Sequence, residues 1–182
     1  MSKEARAPDP PILITERLVF RPFTPDDYGL LAQLHSDPQV QRYIGGMWGP
    51  EEVQARLDFY VAQQAELGWS KWKAHLKSDG SFVGRAGVSV DKLTGEPELG
   101  YSFARCAWGQ GLASETAFGI VDWMWANTEL AELTAFAVSD NLASRRVLEK
   151  VGMAFEGEAD RHGDRCAYYR LKRAGWASSP PR

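Results

Sequence analysis

Two glycines stand immediately before a segment of helical composition, in the stretch Cys106-Ala-Trp-Gly-Gln-Gly-Leu-Ala-Ser-Glu-Thr-Ala-Phe118. Glycine weakens a helix, so glycines at a helix start indicate that the backbone itself has a local task. A helix N-terminus offers N–H groups without partners and about half a positive charge, which suits a phosphate group. A plain tight turn also uses glycine, so this stretch alone leaves both interpretations open.

Three phosphate-binding patterns compete for the stretch. A nucleotide P-loop, GxxxxGK[ST], does not fit because its lysine is missing. A dinucleotide fingerprint, GxGxxG, would have Ser114 at its third position, and residues 104–108 separate the preceding strand from the first glycine. The third pattern is the pyrophosphate loop of acyl-CoA transferases, in which a strand, a short loop and GxGxA lead into a helix.

Further motifs along the chain carry a resemblance to one family. The four are Thr15-Glu16-Arg17-Leu18 with Arg21-Pro22-Phe23; Glu98-Leu99-Gly100-Tyr101; Trp108 to Glu115; and Asn141-Leu-Ala-Ser144-Arg-Arg-Val-Leu148-Glu-Lys-Val-Gly152-Met. With them, residues 14–176 resemble the GNAT superfamily of acetyl-CoA-dependent N-acetyltransferases, especially the RimJ/RimL-like branch of ribosomal-protein N-terminal acetyltransferases. Each motif is weak alone, but the four in this order form a specific signal.

The resemblance implies how acetyl-CoA binds. The family's loop pattern maps onto Trp108-x-x-Gly111-x-Ala113, with tryptophan where Arg or Gln is usual, and the backbone amides of Gln110 to Ser114 hold the pyrophosphate. The strand before the loop pairs with the pantetheine arm, and Asn141, also a helix N-cap, bonds the arm from the other side. The implied binding residues are Phe103, Ala104, Arg105, Trp108, Gly109, Gln110, Gly111, Leu112, Ala113, Ser114 and Asn141.

Acetyl transfer requires a neutral amine, and the resemblance makes Glu98 the candidate base. A positioned base contributes about 10²- to 10⁴-fold to the rate. A solvated glutamate at a strand end is the alternative, and Glu156, Glu158 and Asp160 are further carboxylates near the predicted substrate end.

The leaving thiolate requires a proton. Many family members use a tyrosine at the place that Leu148 occupies here, so Ser144, one turn from Asn141, is the candidate replacement. A serine on a helix surface is the alternative for Ser144. Tyr101 is predicted to be a packing residue.

Composition narrows the classes of function. The 182 residues fit one domain, and a net charge of -3 gives neither a nucleic-acid footprint nor a polybasic membrane patch. The N-terminal stretch is polar, no apolar run approaches the ~20 residues of a membrane helix, and the two cysteines form no CxxC. These features predict a cytoplasmic protein. His35, His75 and His162 are scattered, so we expect no metal.

The hydrophobic pattern predicts the elements that position these residues. Strands are expected at 12–23, 69–76, 81–90, 98–103, 133–138, 153–157 and 166–171, and helices after Thr24, at 50–67, from the glycines to about Asn127, and at 141–151. The order β-α-α-β-β-β-α-β-α-β-β is that of an α/β, single-domain GNAT-like fold, with a mixed, mostly antiparallel sheet flanked by helices. The domain is predicted to span 12–176, with flexible ends at 1–11 and 177–182.

The acceptor amine is the least constrained part of the prediction. Near pH 7 an α-amine with a pKa of ~8 is about one-tenth neutral, whereas a lysine at ~10.4 is neutral in under one part in a thousand. A peptide N-terminal α-amine is therefore favoured. A small-molecule amine, a non-catalytic CoA- or partner-binding role and a homodimer are left open. Some of Trp48, Trp69 and Trp72 are candidates for walls of the acceptor slot.

Overall fold

The computed structural model describes residues 10–44, 48–161 and 163–176, so most of the predicted flexible end at 1–11, all of the end at 177–182 and His162 lie outside the described residues. The strands are β1 (Leu13–Ile14), β2 (Leu18–Pro22), β3 (Lys71–Leu76), β4 (Phe82–Val90), β5 (Pro97–Phe103), β6 (Glu132–Val138), β7 (Ala154–Arg161) and β8 (Asp164–Lys172). The helices are α1 (Tyr28–His35), α2 (Pro38–Gln41), α3 (Pro50–Leu67), α4 (Leu112–Asn127) and α5 (Leu142–Lys150).

The strands form one sheet in the order β1-β2-β3-β4-β5-β6-β8-β7. Every neighbouring pair is antiparallel except β5 and β6, which are parallel. Among the described residues, β5 and β6 pair at one position, Glu98 with Thr134, whereas β4 and β5 stay in register from Gly84–Phe103 to Val90–Pro97. The two parallel strands therefore separate along the rest of β5, and the sheet opens into a V at its centre.

Two apolar clusters cover the two faces of the sheet. The larger packs α4 against the sheet, and Trp72, Leu99, Ile120 and Met124 are among its fully or almost fully buried members. The smaller cluster joins α1 and α3 through Phe23, Leu31, Val53, Leu57 and Tyr60. Charged side chains on the second face, described below, lie between this smaller cluster and the opening of the V.

The predicted fold class is confirmed, with local differences. The expected strand over 12–23 is a short hairpin instead, because a turn at residues 15–17 lets the Thr15 N–H donate to the Leu18 carbonyl. The helical turn α2 was not predicted, since its Asp37-Pro38 start is short and carries no apolar period. The strand β7 runs on to Arg161 and contains a bulge between Phe155 and Gly157. Within the described residues, no helix combines the length and apolar composition needed to cross a bilayer.

Candidate active site

The start of α4 is tied to the hairpin of β1 and β2 by one buried carboxylate. Glu115 accepts from the Thr15 hydroxyl at 2.6 Å, the Arg17 N–H at 2.8 Å and Arg17 Nε at 2.7 Å. Although burial opposes it, these hydrogen bonds hold the pKa of the Glu115 carboxyl below its usual range. Arg17 also donates to the Gln110 carbonyl at 2.8 Å. The first motif of the sequence thus fixes the loop before α4.

The two glycines of that loop are required by the backbone. Gly109 and Gly111 have φ of 73° and 78°, a left-handed conformation that L side chains rarely adopt. A methyl group on Gly109 would meet nothing within 4 Å, and one on Gly111 would meet only the Arg17 side chain. The loop therefore leaves open space at the N-terminus of α4, where N–H groups without helical partners favour an anion.

Trp108 braces the loop against the end of β5. Its indole Nε1 donates to the Phe103 carbonyl at 2.7 Å while the side chain stays 46% exposed. Ala104 and Arg105 lead into a short 3-10 turn, and the Ala104 N–H already donates to the Val83 carbonyl. The structure therefore brings Phe103 but neither Ala104 nor Arg105 to the cleft described next, and the predicted backbone role of these two residues stays a prediction.

A cleft of about 440 Å³ lies along the end of β5, beyond the point where β6 separates from it, and we call it the splay cleft. Its walls include Tyr101, Ser102 and Phe103 of β5, residues of the glycine loop and the first turns of α4 and α5. Of the predicted binding residues, the structure places the following along it: Phe103, Trp108, Gly109, Gly111, Leu112, Ala113, Ser114 and Asn141. Gln110 points elsewhere and donates its side-chain amide to the Cys106 carbonyl.

A second cavity, of about 210 Å³, lies where β5 and β6 begin to separate, lined by residues 98–101 of β5 and 136–138 of β6, and we call it the polar cavity. Its charged lining residues are Arg56, Lys71, Arg85, Glu98, Arg161 and Asp164. Trp48 and Tyr60 contribute aromatic walls, whereas Trp69 and Trp72 are buried in the main core. Of the three tryptophans considered from sequence, Trp48 is thus the one that the structure places at this cavity.

The two cavities share the side chains at which the V begins. Tyr101, Asn141 and Ser144 line both. The Tyr101 hydroxyl lies 3.1 Å from Ser144 Oγ and donates to the Ser144 carbonyl at 3.2 Å, while the Asn141 side chain caps α5 by accepting from the Ser144 N–H. Burial raises the pKa of Tyr101 to about 12, so its hydroxyl keeps its proton at neutral pH. Sequence reasoning assigned only packing to Tyr101, because its alternation along β5 does not reveal that α5 lies opposite.

Glu98 lies in the polar cavity at the narrow end of the V. Its carboxylate is 3.3 Å from Arg161, which also pairs with buried Asp91. The other carboxylates considered from sequence are elsewhere, because Glu156 pairs with Arg170 and Glu158 with Arg165, and neither lines the cavity. Asp160 is 81% exposed. Leu148 is buried at the cavity wall, where it offers no proton.

Lys71 is a buried cation that sequence reasoning missed. Its Nζ donates to the Gly87 and Glu98 carbonyls at 3.2 and 3.0 Å. Gly100 makes room for it, because a methyl group there would lie 2.5 Å from Nζ. Burial lowers the pKa of Lys71 to about 7, although the Glu98 charge raises it in part. The signal in the sequence was a lysine at an inward position of a strand.

No group of three or more His, Cys, Asp or Glu side chains placed to hold an ion occurs within 10–44, 48–161 and 163–176. The prediction that the protein uses no metal stays a prediction.

Comparison with known proteins identifies the family. Residues 17–154 match the model of the acetyltransferase (GNAT) domain. An uncharacterized N-acetyltransferase, p20, from Bacillus licheniformis is 28% identical over 148 residues, which are 80% of this chain and 83% of that protein. The chain therefore belongs to the GNAT acetyltransferase family and is an acetyl-CoA-dependent acetyltransferase, as its motifs predicted.

Solved structures share the fold. An acetyltransferase from Agrobacterium tumefaciens aligns with a TM-score of 0.80 at 24% identity, covering 95% of this chain and 100% of that chain. RimL, a ribosomal L7/L12 α-N-protein acetyltransferase solved in complex with coenzyme A, aligns with a TM-score of 0.75 at 16% identity, covering 90% and 98%. At these identities the comparison establishes the common sheet and helices.

The first prediction concerns the glycine loop. Gly111→Asp puts a carboxylate into the open space before α4, so it should weaken acetyl-CoA binding at least 100-fold through repulsion and steric exclusion of phosphate. Gly80→Asp is the matched control, because Gly80 has a φ of 73° but lines neither cavity. Titration calorimetry with both folded variants makes the comparison. Equal affinities would remove the loop as the pyrophosphate site.

The second prediction concerns Lys71 and stability. The pKa of this lysine is about 7 in the folded state and ~10.4 unfolded, so between these values the unfolded chain holds one more proton. The unfolding free energy of the wild type relative to Lys71→Met should therefore rise with pH across this window, by about 1.4 kcal/mol per unit at most. Urea titrations from pH 6 to 10 measure it. The exposed Lys77→Met should give a flat difference, and a flat Lys71 curve would contradict the burial argument.

Proposed function

We propose that this acetyltransferase moves the acetyl group of acetyl-CoA to a primary amine bound in the polar cavity, with a peptide N-terminal α-amine as the preferred acceptor. One observation carries the proposal: the splay cleft and the polar cavity meet at Tyr101, Asn141 and Ser144. A cosubstrate in the cleft and an amine in the cavity would thus meet beside Tyr101 and Ser144.

The residues along the splay cleft fit the parts of acetyl-CoA. The glycine loop and the N-terminus of α4 suit the pyrophosphate. Beyond Glu98, the edge of β5 that faces β6 lacks a strand partner among the described residues, so its N–H and C=O groups, apart from the Phe103 carbonyl that accepts from Trp108, are available to the amides of the pantetheine arm. The apolar and aromatic walls from Phe103 and Leu112 suit the arm's methylene groups.

Proton transfer would use side chains already at the junction. Glu98 accepts a proton from the protonated amine, and Arg161 holds its carboxylate in position. The neutral amine then attacks the thioester carbonyl to form the C–N bond, and the C–S bond breaks. The hydroxyl pair of Tyr101 and Ser144 donates a proton to the departing sulfur and takes up the second proton of the nitrogen in exchange, while Glu98 returns its proton to solvent. The pair replaces the tyrosine that Leu148 cannot supply.

The polar cavity favours an α-amine over lysine on energetic grounds. An α-amine is already about one-tenth neutral at pH 7, so a single carboxylate has to deprotonate a smaller fraction of it than of a lysine. A small-molecule amine is the second candidate, and the modest volume of about 210 Å³ supports it. Both candidates present one primary amine to Glu98, and the assay below distinguishes them.

The third prediction tests the proton donor. Tyr101→Phe and Ser144→Ala should each lower kcat about tenfold or more while leaving the Kd of acetyl-CoA nearly unchanged, because a proton donor acts mainly in the transition state. The double variant should be little worse than the slower single variant, since the two hydroxyls act as one unit. Pre-steady-state thiol release measures this step. A wild-type kcat in both single variants would assign the donor to solvent.

The fourth prediction tests the transfer and its base. Wild-type protein should release CoA thiol in the presence of a tetrapeptide with a free N-terminus, and much less with its N-acetylated counterpart. Glu98→Gln should lower kcat/KM most near pH 7 and lose this deficit as pH rises toward the pKa of the amine, at about 8 to 9 for an α-amine and above about 10 for a lysine.

The pH profile therefore also reports the acceptor. The outcome against Glu98 would be a ratio of wild type to variant near one at every pH. Absence of thiol release with every peptide and small amine tested would contradict transfer itself and favour the non-catalytic binding alternative.

A further inference from the structure

One cation of the polar cavity lacks a counter-charge. Arg85 lies on β4 and is 7% exposed. Within the part of the chain that the structure describes, no carboxylate lies within salt-bridge distance of its guanidinium, and its Nη atoms have no hydrogen-bond acceptor. A buried charge without a partner is costly, so a site that retains one commonly receives its counter-charge from a ligand.

The surroundings of Arg85 hold its guanidinium in one orientation. Its Nε donates to His35 Nε2 at 3.2 Å. Burial, reinforced by the Arg85 charge, lowers the pKa of His35 to about 2, so the ring stays neutral and accepts this bond. The guanidinium carbon lies 5.3 Å from the centre of the Trp48 ring and 5.8 Å from that of Tyr60. Aromatic contacts and the Nε bond leave the Nη edge of the fork as the part that can bind a ligand.

The other cations of the cavity are already engaged. Arg161 pairs with Asp91 and Glu98, Lys71 donates to two backbone carbonyls, and Arg56 pairs with Glu52 one helical turn away. The polar cavity therefore offers one pre-oriented guanidinium whose Nη edge meets no carboxylate of the described residues. Such a guanidinium repels an ammonium group placed beside it and attracts an anionic group of the acceptor.

We infer that Arg85 binds a carboxylate of the acceptor, so that the substrate is an amine that carries an acidic group close to the amine. This inference rests on the proposed function and adds the substrate class. The guanidinium fork matches a carboxylate in plane, with two parallel N–H···O bonds. The Arg85 α-carbon lies four residues along β4 from the Ser89 α-carbon, a distance of roughly 13 Å. Ser89 is the register partner of Glu98 on β5.

This span limits where the carboxylate sits. Arg85 and Glu98 line the same cavity of about 210 Å³, so the space between the guanidinium and the carboxylate suits an acceptor of one or two residues. Two sources supply that chemistry. One is the α-carboxylate of a free amino acid, and the other is the side-chain carboxylate of an acidic residue at the N-terminus of a peptide.

The test uses acceptors that differ only in charge. The first pair is L-alanine and L-alaninamide, and the second is the amidated tripeptides Asp-Ala-Ala and Asn-Ala-Ala. The value of kcat/KM is measured for each with wild type, Arg85→Gln and the exposed control Lys77→Gln. Because amine pKa values differ within a pair, the quantity compared is the acid-to-amide ratio of each variant divided by that of the wild type.

We expect the acid-to-amide ratio of at least one pair to fall about 10- to 100-fold in Arg85→Gln and to stay unchanged in Lys77→Gln. A fall confined to the first pair assigns a free amino acid, and one confined to the tripeptides assigns an acidic N-terminal residue. Arg85→Lys, which keeps the charge without the fork, should give an intermediate ratio and serves if Arg85→Gln does not fold. Ratios that match the wild type in both pairs overturn the inference.

Different measurements test the carboxylate site at Arg85 and the proposed acetyl transfer. If no acceptor is acetylated, transfer is contradicted, and the carboxylate site is tested by calorimetry with the same pairs on wild-type protein saturated with CoA. Tighter binding of the acid member, lost in Arg85→Gln, supports the site. Equal affinity for acid and amide overturns it. The affinity of the variants for CoA itself should be unchanged, because Arg85 does not line the splay cleft.

Discussion

The separation of β5 from β6 after one paired position is the constraint on which the rest of the structure depends. Every other pair of neighbouring strands is paired at more than one position, and β4 pairs with β5 along the whole length of β5. Among the described residues, the edge of β5 that faces β6 has no strand partner beyond Glu98, and Trp108 occupies the Phe103 carbonyl, so the remaining backbone groups of this edge can pair with a peptide-like ligand. The glycine loop and the first turns of α4 and α5 border the splay cleft, and the polar cavity lies where the two strands begin to separate.

The splay cleft and the polar cavity differ sharply in their electrostatic character. The splay cleft is bordered by backbone, glycine and apolar walls, and its anion preference comes from a helix N-terminus. The polar cavity is bordered by positively and negatively charged side chains. Lys71, Arg85 and Glu98 project into it from the same face of β3, β4 and β5. The layer of α1 and α3 covers part of this face, which lowers the local dielectric constant and strengthens each interaction there. Chemistry that needs a neutral amine and a retained tyrosine proton is favoured by such surroundings.

The sequence sufficed for the order of the main strands and helices and for a mixed, mostly antiparallel sheet, because these follow from local period, turn residues and short motifs. Through the resemblance it also singled out Glu98, Ser144 and Asn141, which line the polar cavity together. It did not predict the bonds from Thr15 and Arg17 to Glu115, about a hundred positions apart, or the hydroxyl contact of Tyr101 with Ser144. Those contacts depend on strand register and on how α5 crosses the sheet, and neither has a local signal. Arg85 and Lys71 were missed since a charged residue in a strand normally predicts an exposed position.

The strand β7 forms one edge of the eight-stranded sheet. An edge strand exposes unpaired N–H and C=O groups that can recruit a strand from another chain. Here the bulge between Phe155 and Gly157 interrupts the register, and exposed acidic side chains follow at Glu156, Glu158 and Asp160. If the β7 strand of a second copy approached this edge, the bulge would misalign the hydrogen bonds between the two strands, and the acidic side chains of the two copies would repel each other. The eight-stranded sheet is thereby protected at this border against growth into fibrous aggregates, while the gap at its centre stays receptive to extended ligands.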